Sequence, residues 1–362
     1  MKNKTFLAYR KNILSSKLKK LIKSFKEFNK EKKDLSSFIP YLFCRTFMKV
    51  HYLLKKRNSD LKLYYSIVDE LDYELKNLLK ISKNFGFREK SSNYIKNLKT
   101  EDYYGLLFKN FSDDSYYNEP KELLTTRLKI NNFNLKFFRN KNIIDYGCGN
   151  GRYTQVLAKF ATVKKSSGYP KIIGFDKSKL NIETAKKKNK YKNVIYKCGD
   201  VNKNNLKNNS FDIVFCNGVL HHTGNILTGL KSIHRILKRK GICIIYLSST
   251  DGIKWYFIEA FREILKKYDR NSFFKDLKNL KLIYSKIFYL MDHVFVKYNQ
   301  LTTLKEVEKL FKLSKFRVEQ RFNRGHPVDD TERLYQLKKK IGAKLAFDIY
   351  GYGEHRYVLS KL

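Results

Sequence analysis

The sequence predicts an α/β protein in which a parallel sheet carries helices on both faces and a helical extension precedes it. Two observations carry this prediction. Short apolar segments alternate with helical patterns between residues 142 and 247, and this alternation is the order that builds a parallel sheet. Residues 1–95 show helical periodicity and no catalytic motif, so we expect them to form a separate helical element.

The chain is strongly basic. Its 362 residues include 76 Lys and Arg against 34 Asp and Glu, which gives a formal net charge of +42. The Lys residues are spread along the whole chain, so codon bias is the favoured origin of the charge, and a polyanionic partner is the alternative. The 5 Cys are scattered and have no metal-ligand spacing, so no disulfide or metal site is predicted and a cytoplasmic setting is expected.

An amphipathic helix is predicted near the start of the chain. Its apolar stripe consists of Leu14, Leu18, Leu21, Ile22, Phe25 and Phe28. We expect the stripe to pack on the rest of the protein, and peripheral contact of residues 11–30 with an anionic membrane is the alternative. No signal peptide is expected, because no uninterrupted apolar run follows the basic start. The apolar stretch Phe38–Leu54 contains too many charges to span a bilayer. The Ser91–Asn93 stretch suggests a linker.

The middle of the chain contains five predicted strands. They are Asn142–Tyr146, Lys171–Asp176, Val194–Lys197, Phe211–Asn217 and Ile242–Leu247. The helical patterns between them are Tyr153–Phe160, Lys179–Lys187 and Leu227–Leu237, and Pro120 suits the first turn of an earlier helix. Two late segments, Phe316–Phe322 and His355–Ser360, are further strand candidates.

The strongest motif is the glycine-rich turn that follows the first predicted strand. Asp145 ends an apolar segment, and Gly147, Gly149 and Gly151 follow in the spacing G-x-G-x-G. Glycines in such a turn allow sharp bends and a close approach of the backbone to a ligand. The spacing differs from the G-x-G-x-x-G of dinucleotide sites. It fits a nucleoside with an amino-acid tail. Asp145 is placed to accept a hydrogen bond from the ammonium group of that tail, directly or through water. A purely structural turn is the alternative.

Three further polar residues follow the next predicted strands. Asp176 ends the second strand at about the offset expected of a ribose-binding acid, with a helix cap as the alternative reading. Asp200 follows the third strand and is a candidate to accept from an adenine amino group, with the Val201 backbone beside the ring. Asn217 ends the fourth strand. Ligands of open α/β sheets bind at the carboxyl ends of the strands, so these residues are expected to meet at one edge.

These motifs together resemble the class I S-adenosylmethionine-dependent methyltransferases, in the broad group that acts on small molecules and on lipids or quinones. The resemblance rests on D-x-G-C-G-x-G at 145–151, on F-D-x-V-x-x-N-G-V-L-H-H at 211–222, and on Leu-Lys-Arg-Lys-Gly at 237–241 in place of the family's L-K-P-G-G. It covers roughly residues 120–250. The resemblance implies a Rossmann-like sheet of seven strands, with the last strand antiparallel and helical insertions after strand 5 and between the last two strands.

The resemblance also implies a cofactor, S-adenosyl-L-methionine, and a role for each motif residue. Asp145, Gly147, Gly149 and Gly151 would hold the methionine part, Asp176 the ribose, Asp200 and Val201 the adenine, and Asn217 would close over the cofactor. The expected division is a helical extension at 1–95 and a methyltransferase domain at 96–362. Within that domain, 120–250 form the core, 251–315 the substrate-side helices and 316–362 the last strands.

The expected reaction is methyl transfer to a small-molecule or lipid-like acceptor by in-line displacement, in which the enzyme aligns the reactants and excludes water. His221 and His222 follow the fourth strand and are candidate bases for an oxygen nucleophile, while packing against the loop is the alternative for each. A methyltransferase acting on tRNA or rRNA, suggested by the charge, and a non-catalytic cofactor-binding protein are the competing functions. The sequence predicts neither the acceptor nor the oligomeric state.

Overall fold

The computed structural model describes residues 12–31, 38–85, 100–109, 114–161, 171–265, 268–279 and 284–362. The predicted linker at Ser91–Asn93 and the predicted domain boundary between residues 95 and 96 lie outside these ranges. The chain forms two compact units. The first contains Met1–Asn97, Thr250–Val296 and Gln336–Gly351, and the second contains Leu98–Ser249, Lys297–Tyr335 and Tyr352–Leu362.

A sheet of seven strands forms the second unit, in the order β3-β2-β1-β4-β5-β7-β6. The strands are β1 Ile143–Tyr146, β2 Ile172–Asp176, β3 Val194–Cys198, β4 Phe211–Asn217, β5 Leu237–Leu247, β6 Phe316–Arg321 and β7 His355–Lys361. The strands β1 to β5 pair in parallel, and β7 runs antiparallel to both of its neighbours. The predicted α/β class and the antiparallel last strand are therefore confirmed.

Helices cover both faces of this sheet. One face packs against the helices α8 (Ile226–Ile236) and α12 (Leu304–Leu313), and its buried side chains include Leu230, Ile233 and Phe311. The other face packs against the helices α5 (Asp114–Ile130), α6 (Arg152–Ala161) and α7 (Lys179–Lys188). Short 3₁₀ turns lie at Leu135–Phe138 and Leu220–His222. Because both faces are covered, β1 is buried at all four of its residues.

The fifth strand begins earlier than the sequence predicts. It starts at Leu237 rather than Ile242, and residues 238–241 bulge between the pairs Phe211–Leu237 and Ile213–Ile242. Lys240 takes a positive φ of 64° there, a conformation that residues other than glycine adopt rarely. The segment that replaces the family's L-K-P-G-G is therefore a bulge within β5, away from the polar strand ends.

The first unit contains helices only, in its described residues. They are α1 Ile13–Glu31, α2 Phe38–Lys55, α3 Leu61–Phe85, α9 Ile253–Leu265, α10 Arg270–Asn279, α11 Tyr284–Val294 and α14 Ala343–Tyr350, joined by the end of α13 (Asp330–Ile341). The remaining described helix, α4 (Thr100–Lys109), belongs to the second unit. Insertions after β5 and between β6 and β7 thus occur where they were expected.

Four residues of the apolar stripe of α1 pack inside the first unit, and the side chain of Phe28 lies outside those that the structure describes. Leu14, Leu18, Leu21 and Phe25 are each at most 5% exposed, and Phe25 meets Phe43 of α2 edge to face at 5.8 Å between ring centroids. These contacts support the packing alternative for this helix over membrane contact through residues 11–30. Within the described ranges, no helix combines the length and the apolar character that crossing a membrane requires.

Candidate functional site

The glycine-rich turn lies at the carboxyl end of β1, in the middle of the sheet. Gly147, Gly149 and Gly151 all have positive φ. The need for glycine is clearest at Gly147, where a Cβ atom would lie 2.4 Å from Cγ2 of Val219. The amide groups of Gly147 and Cys148 donate to the carbonyl oxygen of Phe175 at 2.7 and 3.1 Å. The turn is therefore fixed to the end of β2.

Asp176, the last residue of β2, joins this turn to the start of α7. Its Oδ2 accepts a hydrogen bond from the amide of Gly149 at 2.9 Å. Its Oδ1 accepts from the amide of Ser178 at 2.9 Å and from Nδ2 of Asn181 at 3.3 Å. Burial raises the pKa of Asp176, and these hydrogen bonds oppose that shift. Ser178 rather than Asp176 caps α7 through its side chain.

Asp145 lies beneath the turn rather than on its surface. It is 2% exposed, and its Oδ2 accepts a hydrogen bond from the hydroxyl of Thr154 at 2.6 Å. Burial raises the pKa of Asp145 to about 7. The structure brings this carboxyl close to the turn, but its one hydrogen bond in the described residues is to α6.

Asp200 and Val201 lie just beyond β3. Asp200 accepts from the amide of Asn202 at 2.8 Å and forms an ion pair with Lys177 at 3.2 Å. The Val201 side chain is buried in the core of the sheet, and its carbonyl oxygen accepts from the Tyr146 hydroxyl at 2.8 Å. Only the backbone of Val201 is therefore available to a ligand near this strand end.

Asn217 ends β4 and contacts the last strand of the sheet. Its Oδ1 accepts a hydrogen bond from Nη1 of Arg356 on β7 at 3.1 Å. The sequence reasoning did not find Arg356, because 139 positions separate it from Asn217. The pairing of β7 with β5 brings the two residues together.

The helix α4 supplies residues at the site that sequence reasoning missed. A Cβ atom on Gly149 would lie 3.1 Å from the ring of Phe108, so this ring rests against the glycine-rich turn. Glu101 forms an ion pair with Lys177 at 3.2 Å, and Tyr104 lies 5.6 Å from the ring of His222. The aromatic residues at 103–108 were the one sequence feature that pointed to α4. The periodicity of a helix does not indicate which other part of the protein it packs against.

A cavity of about 560 Å³ lies between α4 and the start of α7. Its lining residues are Glu101, Leu106, Lys177, Ser178, Lys179, Leu180 and Glu183. None of the predicted cofactor residues lines it, although Lys177 and Ser178 directly follow Asp176. The polar strand ends, and not this cavity, therefore define the candidate site.

His221 and His222 form a buried pair in the loop after β4, 2% and 7% exposed, with ring centroids 4.1 Å apart. Their hydrogen bonds differ. Nδ1 of His221 lies 3.3 Å from the amide of Ser248, which can only donate to it. Nδ1 of His222 lies 2.9 Å from the carbonyl oxygen of Tyr298, which can only accept. In their neutral forms, His221 therefore carries its proton on Nε2 and His222 on Nδ1.

Comparison with known proteins identifies a matching protein family. Residues 137–291 match a family described as "Methyltransferase domain". Together with the strand order and the antiparallel β7, this match decides the classification. The chain contains a class I S-adenosylmethionine-dependent methyltransferase domain. The cofactor of this family is S-adenosyl-L-methionine.

The curated relatives of this chain have names that state different activities or none. An uncharacterized protein of Methanocaldococcus jannaschii is 29% identical over 193 residues, covering 52% of this chain and 73% of that protein. A tRNA U34 carboxymethyltransferase of Helicobacter pylori is 34% identical, covering 30% of this chain and 40% of that protein. A malonyl-[acyl-carrier protein] O-methyltransferase of Bacillus cereus is 26% identical, covering 46% and 57%. The chain thus spans about half the length of this carboxymethyltransferase and of this O-methyltransferase.

Solved structures show a distant likeness to the chain. The PH0226 protein of Pyrococcus horikoshii matches with a TM-score of 0.42 and 17% identity, covering 74% of this chain and 100% of that one. An S-adenosylmethionine-dependent methyltransferase of Mesorhizobium loti matches with a TM-score of 0.41 and 14% identity, covering 62% and 92%.

The glycine-rich turn and the carboxylates at the strand ends suit S-adenosyl-L-methionine chemically. A glycine turn that leaves no room for a Cβ atom at Gly147 offers close backbone contact. The carboxylates of Asp176 and Asp200 follow the adjacent strands β2 and β3, where hydroxyl and amino donors of a nucleoside find acceptors.

Proposed function

We propose that the protein transfers a methyl group from S-adenosyl-L-methionine to a small-molecule or lipid-like acceptor. The observation that carries this proposal is the hydrogen bond between the glycine-rich turn and the carboxylate of Asp176, the last residue of β2. In the proposal, Asp176 accepts from the ribose, Asp200 and the Val201 backbone face the adenine, and the glycines hold the methionine part. The proposal includes a cytoplasmic location, on the basis of the scattered cysteines.

Asp145 and Asn217 take modified roles in the proposal. Asp145 is buried beneath the turn and accepts a hydrogen bond from Thr154. In the proposal, its carboxyl group therefore supports the turn that holds the ammonium group of the cofactor, and it is not an exposed acceptor. Asn217 is held by Arg356, so it borders the cofactor from a fixed position. Both roles follow from the neighbours of these side chains.

Methyl transfer requires the protein mainly to align the two reactants. S-adenosyl-L-methionine supplies a methyl group that is already activated on a sulfonium. The protein has to orient the acceptor in line with that group and exclude water. His222 is the better candidate base of the two histidines, because its Nδ1 proton points to Tyr298 and leaves the lone pair on Nε2. His221 has its lone pair on Nδ1, directed to the Ser248 amide.

Burial of the histidine pair supports a small acceptor. His221 and His222 are both at least nine-tenths buried, between the ring of Tyr104 and the segment at Tyr298. A compact acceptor group suits such a position better than a base within a folded polynucleotide, which must first be unstacked and extruded.

An RNA acceptor is the second candidate function. It is supported by the names of the Helicobacter relatives and by a run of exposed lysines at the end of α7 and before β3, comprising Lys186, Lys187, Lys188, Lys190 and Lys192. Binding of RNA through such residues depends steeply on salt, because each phosphate contact releases counterions.

Calorimetric titration with S-adenosyl-L-methionine, wild type beside Asp176→Ala, tests the proposal. We expect micromolar binding by the wild type and much weaker binding by the variant. Absence of binding by the folded wild-type protein would overturn the methyltransferase proposal. A parallel titration with tRNA at low and high salt separates the two acceptor classes, since specific binding with a steep salt slope would favour RNA.

A further inference from the structure

Arg356 is a buried guanidinium group beside the candidate site. It is 8% exposed and lies at the carboxyl edge of the sheet, because its strand β7 pairs antiparallel with β5, where Arg356 is opposite Tyr246. Its guanidinium carbon is 4.2 Å from the centroid of the Tyr246 ring. The His221 ring lies 5.7 Å from the centroid of the same tyrosine ring. Tyr246 therefore contacts both the guanidinium of Arg356 and the ring of His221.

Among the described residues, the guanidinium of Arg356 makes one hydrogen bond. Nη1 donates to Oδ1 of Asn217 at 3.1 Å. Nη2 lies 3.8 Å from Oδ1 of Asp329, beyond hydrogen-bond distance. Among the described residues, Nε has no hydrogen-bond partner and is buried. A buried donor that lacks a partner is costly and rare in native proteins.

The nearest carboxylate is already engaged by another arginine. Asp329 accepts from Nε and Nη2 of Arg127 at 2.7 and 2.6 Å, and the two arginines hold the pKa of Asp329 well below its usual range, although burial opposes them. Glu354, whose charge also reaches Arg127, accepts from the amides of Asp330 and Thr331 at the start of α13. Two guanidinium groups thus share the single carboxylate of Asp329.

Other buried polar atoms without a hydrogen-bond partner lie near the histidine pair. In the part of the chain that the structure describes, they are Oγ of Ser248, both amide atoms of Asn299 and Oε1 of Gln300. The backbone links these residues to the pair, since the Ser248 amide bonds to Nδ1 of His221 and the Gln300 amide to the carbonyl oxygen of His221. The region beside the histidines is therefore polar, and these atoms of Ser248, Asn299 and Gln300 have no hydrogen-bond partner among the described residues.

The geometry points to an acceptor-binding subsite in which Arg356 binds an anionic group, a carboxylate or a phosphate, of the methyl acceptor. Guanidinium is suited to this role because its planar donors match both oxyanions in a forked arrangement. The acceptor would lie across Tyr246, with its anionic group at Arg356 and its reacting atom toward His222. This inference rests on the proposed function and narrows its acceptor to an anionic small molecule.

Titration of the full chain with malonate and, separately, with inorganic phosphate tests the subsite. The protein is first saturated with S-adenosylhomocysteine, and binding is followed by calorimetry. We expect at least one of the two anions to bind with a millimolar Kd. Preference for malonate indicates a carboxylate acceptor, and preference for phosphate indicates a phosphorylated one. If neither anion binds to the saturated wild-type protein, the inference is overturned.

Variants at Arg356 provide the decisive comparison. We expect Arg356→Gln to weaken anion binding at least tenfold, and Arg356→Lys to weaken it at least threefold, because an ammonium group lacks the forked donors. Arg324→Gln is the matched control. Arg324 also stacks on a tyrosine, Tyr335, at 4.0 Å, but Glu332 already satisfies it through two hydrogen bonds of 2.8 Å.

Arg324→Gln should leave anion binding unchanged. Circular dichroism and thermal unfolding establish that each variant is folded. If Arg356→Gln fails to fold, Arg356→Lys decides the question, and wild-type affinity in that variant contradicts the subsite. Failure of the wild type to bind S-adenosylhomocysteine would instead overturn the proposed function, so the two failures are distinguishable.

Discussion

The amide of Gly149 donates a 2.9 Å hydrogen bond to Oδ2 of Asp176, so a carboxylate at the end of β2 holds the glycine-rich turn at the end of β1. Asp176 belongs both to the architecture of the turn and to the proposed ribose contact. We therefore expect its substitution to weaken cofactor binding in two ways, through a lost acceptor and through a turn that is less firmly held.

Asp176→Ala should weaken binding of S-adenosyl-L-methionine by about 10- to 100-fold, the range expected when hydrogen bonds to a charged group are lost. Calorimetry measures the change. Glu308→Ala, which removes an exposed acid of α12 in the same unit, is the control and should bind as the wild type does. Equal affinity in the Asp176 and Glu308 variants would exclude Asp176 from the cofactor site.

Gly147→Ala should destabilise the protein by about 3 kcal/mol or more, from backbone strain and overpacking together. The φ of Gly147 is +89°, and a Cβ atom would lie 2.4 Å from Val219. Gly342→Ala separates the two causes, because Gly342 has φ +83° and no atom within 4 Å of its would-be Cβ. That variant should lose about 1 kcal/mol, for strain alone. Urea unfolding gives both values, and equal losses would contradict the steric role of Val219.

Phe108→Ala should weaken cofactor binding without unfolding the sheet, because its ring rests on the glycine-rich turn from α4. We expect a loss of about 10-fold, as for removing one aromatic contact surface. Phe137→Ala is the matched control, since this phenylalanine is 39% exposed and lies in a 3₁₀ turn away from the strand ends. Calorimetric titration of both variants checks the difference. Unchanged affinity in Phe108→Ala would remove α4 from the site.

His221 and His222 should show opposite tautomers in their neutral forms. At a pH where both rings are neutral, nitrogen-15 NMR should find the His222 proton on Nδ1, facing the Tyr298 carbonyl, and the His221 proton on Nε2. Spectra of His221→Gln and His222→Gln assign the signals. A proton on Nε2 of His222 would mean that its lone pair is not available to a methyl acceptor, and would eliminate this residue as the base.

Asp145 should make the stability of the protein depend on pH. Burial raises its pKa from 3.8 to about 7 in the folded state, so between these values the folded protein binds more protons at this residue than the unfolded chain. This stabilising contribution is complete below pH 4 and is lost as pH rises through about 7. Asp145→Asn should lose this slope, which urea unfolding at pH 4.5 and 7.5 measures. The same slope in wild type and variant would show that Asp145 is not the cause.

Local patterns in the sequence predict most of the sheet. The strand Phe211–Asn217 and the start of the strand at His355 were predicted as the structure has them, because apolar runs bounded by turn residues are local signals. The bulge at Lys238–Gly241 was not predicted, since a bulge depends on the pairing of β5 with β4. The polar side chains at or just beyond the ends of β1 to β4 were located in the same way, because each comes at or soon after the end of a predicted strand.

Long-range contacts account for what the sequence did not reveal. Arg356 lies beside Asn217 only because β7 is inserted next to β5, and Phe108 meets Gly149 only because α4 crosses the turn. The burial of Asp145 beneath the turn depends on Thr154 of α6. None of these contacts leaves a periodic trace in composition or spacing, so the residues of the proposed acceptor side could be brought together only from the folded chain.

The position of β7 between β5 and β6 has a consequence for the order of folding during synthesis. Among the described strands, β6 pairs only with β7, and β7 is made of residues 355–361. On the ribosome, β6 therefore emerges well before the strand that it pairs with, and β5 keeps an open edge until then. Arg356 arrives with that same strand, so the sheet and the candidate site are completed together once residues 355–361 have been made.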